Sequence, residues 1–119
     1  MTLPRMLPKR RRRDNRVRCQ GHRTWVARHS CCVPGCDATV CEASHVSEGV
    51  PLSDCAGQGM KSGDNWTWSL CHGHHVEFDA GERKFCTKYQ VDAVARAQEF
   101  AENSQILRRY YAKQQRSVA

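Results

Sequence analysis

Cysteines and histidines at short spacing are the residues of this chain best suited to chemistry. Cys32-Val33-Pro34-Gly35-Cys36 sets two thiols across a Pro-Gly turn, and Cys71-His72-Gly73-His74 sets a thiol and an imidazole two residues apart. A tight turn brings both side chains of such a pair to one side, so each pair can supply two ligands to a tetrahedral zinc. The expected centre is Cys32, Cys36, Cys71 and His74. His75 could replace His74, but His74 keeps the knuckle spacing and frees its neighbour. A zinc with four protein ligands is structural and does no chemistry. Cys19, Cys31, Cys41, Cys55 and Cys86 are then read as reduced packing thiols.

A second set remains once those ligands are assigned. His45 ends an expected strand, Asp64 and Asn65 precede another, and His75 and Asp79 stand four apart on an expected helix. That spacing puts His75 and Asp79 on one helix face, where imidazole and carboxylate can share a divalent cation. His72 lies within the knuckle turn and is read as solvent-exposed, while His22 and His29 carry no pattern.

The elements that position these residues must come from a short chain. Its 119 residues suffice for one domain, and 26% of them are charged. So short and polar a chain buries a thin core and often needs a staple. Eight cysteines could be a disulfide framework or metal ligands. Met1 to Asn15 has no apolar signal region and no run is long enough to span a bilayer. The expected location is therefore the cytoplasm, where disulfides rarely persist and metal binding is favoured.

Residues 1–16 read as a disordered basic arm, with Pro4, Pro8 and little to bury. Val17 to Arg28 is a short helix or extended, anchored by Trp25 and Val26. A strand is expected over Thr39 to Val46, a loop over Ser47 to Gly63, and a second strand over Trp66 to Leu70. In the second strand Trp66, Trp68 and Leu70 alternate with Thr67 and Ser69, and both tryptophans are read as core. A helix follows from about Gly73 to Ala80, and another from about Val91 to Asn103 that Ile106, Leu107, Tyr110 and Tyr111 could extend. The boundaries are an arm over 1–16, a domain over 17–104 and a helical extension or tail over 105–119.

The net charge of +7 is unevenly spread. Residues 1–30 hold ten Lys/Arg against one acid, and the remainder is slightly acidic. Lys9, Arg10, Arg11, Arg12 and Arg13 form an unbroken run that reads as a nucleic-acid arm, displacing counterions from phosphates with little sequence preference. The rival readings are a solvated tail or a localisation signal. The run lacks the interleaved aromatics or leucines of a membrane-surface segment.

Taken in order, Cys-x3-Cys, Ala-Ser-His-Val, a glycine-rich loop, Gly-Met-Lys-Ser-Gly-Asp-Asn-Trp and Leu-Cys-x2-His-His-x3-Asp resemble an HNH endonuclease, of the ββα-metal or His-Me finger group. The likeness is to the phage-type branch that includes the recombination-enhancement nuclease, and covers roughly Trp25 to Asp92. It implies an α+β fold: a small zinc-stapled ββα-metal finger with flanking helices. It implies hydrolysis of DNA phosphodiesters, with His45 as the general base that deprotonates water. Asp64 or Asn65 would brace that base, His75 and Asp79 would hold a catalytic Mg2+ or Mn2+, and Lys61 could contact a phosphate. The structural zinc knuckle would again be Cys32, Cys36, Cys71 and His74. The implied partners are DNA and a phage or host recombination or packaging protein. Two positions depart from the pattern. Ser44 stands where relatives often carry a metal ligand, and Asp79 stands where many carry histidine. Glu42 faces the same way as Ser44 by strand alternation and could substitute for it. A non-catalytic zinc-stapled DNA-binding or accessory protein is the alternative.

Overall fold

An antiparallel hairpin lies at the centre of the fold. In the computed structural model, which describes residues 16–55 and 61–118, β1 (Cys41–His45) pairs with β2 (Thr67–Cys71), setting Cys41 opposite Cys71 and His45 opposite Thr67. Among the described residues five helices accompany it, a small mixed α+β architecture. The basic run Lys9 to Arg13, and all of the expected arm but Arg16, lie outside the described residues.

β2 departs from the expected one-sided alternation. Thr67, Trp68, Ser69 and Leu70 are all buried, because both faces of the hairpin are covered. On one face Trp68 meets Phe78 of α2 (His72–Ala80) at 5.1 Å between ring centroids and Phe85 of α3 (Glu82–Tyr89) at 6.0 Å. The other face turns toward α1 (Gln20–Ala27) and the segment after it. Its polar side chains are satisfied by backbone carbonyls: Thr67 donates to Asp64 O at 2.8 Å and Ser69 to Ser30 O at 2.7 Å. Buried hydroxyls are tolerated when such acceptors are at hand.

The helices differ from expectation in two places. α3 has no counterpart in the sequence reading, because its short polar stretch offers a small apolar signature, Phe85 and Tyr89 one turn apart. The helix expected over Val91 to Asn103 is α4 (Ala93–Asn103), capped by Asp92, whose carboxylate accepts from Ala95 N at 3.0 Å. It does not run on into the tail. Ser104 takes extended backbone angles and starts a new helix, α5 (Gln105–Val118), by accepting from Leu107 N at 3.1 Å. The same hydroxyl lies 2.8 Å from Nδ1 of the buried His22, tying the start of α5 to α1.

The loop between the strands ends in a tight crossing. It holds a 3-10 turn (Leu52–Asp54) and a bridge from Cys55 to Ser62. A Cβ on Gly63 would lie 2.9 Å from Val17 N and 2.6 Å from Asn65 Oδ1, so a side chain there forces the backbone to move. Glycine lets two backbone segments touch. The contact fixes Asp64, whose N–H donates to Val17 O at 2.8 Å. No described helix is long and apolar enough to cross a membrane.

Candidate metal centre and the polar groups of the hairpin

Cys31, Cys36, Cys71 and His74 form a cluster whose ligand atoms all lie within 4.8 Å of one another. His74 Nδ1 is 3.2 Å from Cys71 Sγ and 3.5 Å from Cys31 Sγ. A tetrahedron with Zn–S bonds of about 2.3 Å has edges of about 3.8 Å, so small closing movements fit this donor set to a structural zinc. Three thiols and an imidazole are a soft set that suits zinc over magnesium or calcium.

Each pair is shaped by local chemistry. Cys36 N donates to Val33 O at 3.0 Å, closing a turn with Pro34 and Gly35 at its centre, and Gly35 takes φ of +84°. Proline followed by a left-handed glycine is the signature of a type II turn. Cys71 stands at the N-terminus of α2, where the backbone N–H of His74, and less strongly that of Gly73, lower its pKa below the ordinary thiol value. Helix N-termini favour thiolate, the form that binds metal. Cys31 is buried, and burial pushes its thiol up to about 11.

The cluster takes Cys31 where the spacing pointed to Cys32. Cys32 N donates to Ser69 O on β2 at 2.9 Å, and its Sγ turns to Ser69 Oγ at 3.3 Å and the Arg96 guanidinium at 3.8 Å. With its Sγ directed to Ser69 and Arg96, Cys32 is not among the cluster's ligands. Both spacings, Cys-x3-Cys and Cys-x4-Cys, close across the same turn, and the adjacent cysteines were the signal that two choices existed.

His75, one position on, belongs to a different set. Its Nδ1 lies 2.7 Å from Glu42 Oε1 and its Nε2 3.4 Å from Asp79 Oδ2. His72 also approaches Glu42, at 3.3 Å, but is 80% exposed. Glu42 is held below the usual carboxylate range, chiefly by its hydrogen bond with His75. His75 and Asp79 therefore meet as the helical spacing required, and Glu42 joins them from β1. Ser44 does not: it is fully buried opposite Trp68, with no partner for its hydroxyl.

His45 is paired differently again. Its Nε2 lies 2.8 Å from Asp64 Oδ1. Burial alone would raise the Asp64 carboxyl. The hydrogen bonds from His45 and from Cys19 N (2.7 Å), with the Arg23 charge at 3.2 Å, outweigh it and hold the group below its ordinary value. Asn65 does not reach His45; its side-chain oxygen is buried without a partner. Arg23 had no sequence signal at all. Lys61 is exposed at the end of the loop.

Strand alternation separates the two groups. Glu42 and Ser44 face α2, and His45 faces the α1 side. No hydrogen bond or ion pair joins His45 or Asp64 to His75 or Asp79 among the described residues. No family model matches the chain, and it matches no curated protein and no solved structure.

Proposed function

We propose that this chain is a metal-dependent DNA endonuclease of the HNH type, with zinc as a structural staple and a second divalent cation at the catalytic site. The observation that carries the reading is the His45–Asp64 contact of 2.8 Å at the end of the hairpin. An ionised carboxylate only accepts, so Asp64 draws the imidazole proton to Nε2 and leaves Nδ1 as the free acceptor. His45 is then oriented to take a proton from water attacking a scissile phosphate. Arg23 and the Cys19 N–H hold Asp64 in place, so the brace is itself braced.

His75 would hold the cation through one ring nitrogen, with Asp79 on the Nε2 side or Glu42 on the Nδ1 side as its carboxylate partner. An imidazole with a carboxylate and water suits Mn2+ or Mg2+. Bound there, the cation would neutralise charge on the phosphate and the leaving oxygen. Glu42 takes the part that Ser44 cannot. Among the described residues β1 pairs only with β2, so a nucleic-acid strand laid along its other edge would meet Glu42 on one face and His45 on the other. The basic arm would add sequence-independent affinity for DNA.

Plasmid nicking with Mg2+ or Mn2+ tests the reading. His45→Ala should lower the rate by about 10²–10⁴-fold, the usual worth of a general base. Undiminished cutting by that variant would remove His45 from the mechanism. The second reading is a non-catalytic zinc-stapled module that binds DNA, favoured by the burial of Ser44 and the opposite orientation of His45 and Glu42. It expects DNA binding and no cutting with any divalent metal. A phage recombination or packaging role is part of the proposal only through the resemblance.

A further inference from the structure

α5 carries charge that its own sequence does not balance. It holds Arg108, Arg109, Lys113 and Arg116 and no acid. Arg109, Lys113 and Arg116 stand at i, i+4 and i+7, which puts them on one stripe of the helix. Successive charges are about 6 Å and 4.5 Å apart along the axis. Elsewhere several surface cations face acids: Arg83 with Glu48 at 2.6 Å, Lys88 with Glu77 at 2.7 Å, and Arg96 with Glu99 at 2.7 Å. Arg109 and Arg116 have no ion pair or hydrogen bond among the described residues.

The apolar side of α5 is already engaged. Leu107 is buried, Ile106 packs so close to α1 that a Cβ on Gly21 would meet it at 3.1 Å, and Tyr110 Oη accepts from Arg18 N at 3.4 Å. Residues 111–116 are all exposed. The apolar contacts thus dock α5 on α1, the helix that carries Arg23 beside Asp64.

We propose that α5 is a nucleic-acid contact surface, on which Arg109, Lys113 and Arg116 engage successive phosphates of a DNA duplex. This rests on the reading of DNA as the partner, and it adds a surface distinct from the basic run. A helix whose sequence carries four cations and no acid is complementary to a phosphate backbone, and counterion release makes it adhesive. It is unsuited to a second copy of itself, since like stripes repel. It is unsuited to a membrane, since the apolar face is packed on α1.

The test is binding of the full chain to a fluorescent duplex without added divalent cation, over a series of salt concentrations. In the triple variant Arg109→Gln, Lys113→Gln, Arg116→Gln, the slope of log K against log salt should fall by about 2.7, at about 0.9 per contact, with binding at least about 10-fold weaker at low salt. Glutamine is a good helix former, so circular dichroism should show α5 retained. The charge-keeping variant Arg109→Lys, Arg116→Lys, with Lys113 intact, should keep the wild-type slope. Arg83→Gln, which removes a cation already paired with Glu48, should leave the slope unchanged. An unchanged slope in the triple variant overturns this proposal and leaves the nuclease reading standing. A wild type that binds no duplex overturns both. A wild-type dimer that the triple variant abolishes would assign the stripe to a second copy and overturn the proposal.

Discussion

His74 and His75 are neighbours on α2, yet they turn to opposite kinds of partner. His74 turns to Cys71 and Cys31, in a cluster where Cys31 is buried and the others are half-buried. His75 turns to Glu42 and Asp79, which are 47% and 63% exposed. One residue is about 100° of helix, enough to carry a ligand from a sulfur-lined pocket to a carboxylate-lined surface. A buried soft set holds its metal permanently and contributes to folding. An open set of oxygen and nitrogen donors leaves room for water and for a phosphate. Cys-x2-His-His-x3-Asp thus interleaves two ligand atoms of a candidate metal cluster with a histidine bonded to carboxylates, which the proposed function takes as a second half-site.

The comparison breaks most visibly at the cysteine doublet. Cys31→Ser should lose the zinc and with it cooperative thermal unfolding, since structural zinc in small domains contributes about 10 kcal/mol. Cys32→Ser should keep one zinc per chain by metal analysis and unfold near the wild-type temperature. The reverse pattern would restore the Cys32 assignment.

The two histidines give the next contrast. His74→Ala should strip zinc and destabilise the fold, whereas His75→Ala should keep zinc and lose Mn2+ binding by titration calorimetry. Retained Mn2+ affinity in His75→Ala would dissolve the second half-site. Glu42→Gln should act in the same direction and more weakly, by roughly 10-fold in Mn2+ affinity, because one of two carboxylates remains.

The last contrast concerns Asp64, which touches neither the cysteine cluster nor His75. Asp64→Asn should cost about 1–3 kcal/mol at neutral pH by loosening hydrogen bonds to His45 and Cys19 N. The folded-state pKa lies below the ordinary aspartate value of 3.8, so this contribution is complete above that value. It is lost as pH falls through the lower, folded-state pKa, because the unfolded chain then binds the proton more readily. Chemical denaturation from pH 7 downward should show the wild type and variant converging in acid. A gap that stays constant would mean that the Asp64 charge does not contribute.

Much of this was legible from local pattern. The Pro-Gly turn, the alternation of Trp66 to Leu70, and the spacing of His75 and Asp79 are short-range facts of backbone geometry. So the two strands, the helix after them and the pairing of those two side chains followed from sequence. α3 did not, because Phe85 and Tyr89 make too short an apolar stripe to stand out. The sequence leaves open whether α4 extends through Ile106, Leu107, Tyr110 and Tyr111 or stops, because the break rests on one hydroxyl, that of Ser104, and on its contact with His22.

What the sequence determined by itself was the inventory: two ligand pairs, a strand-loop-strand-helix order, and histidine with carboxylate one turn apart on a helix. Only the tertiary structure chose among neighbours. Cys31 prevailed over Cys32 because the backbone of Cys32 is bonded to Ser69, 37 residues away. Asp64 prevailed over Asn65 because Val17 and Cys19 hold the loop with the carboxylate toward His45. Glu42 joined His75 because β1 lies across α2. Adjacent residues share composition and spacing, and they differ in the direction of a side chain, which is set by contacts that close across long stretches of chain.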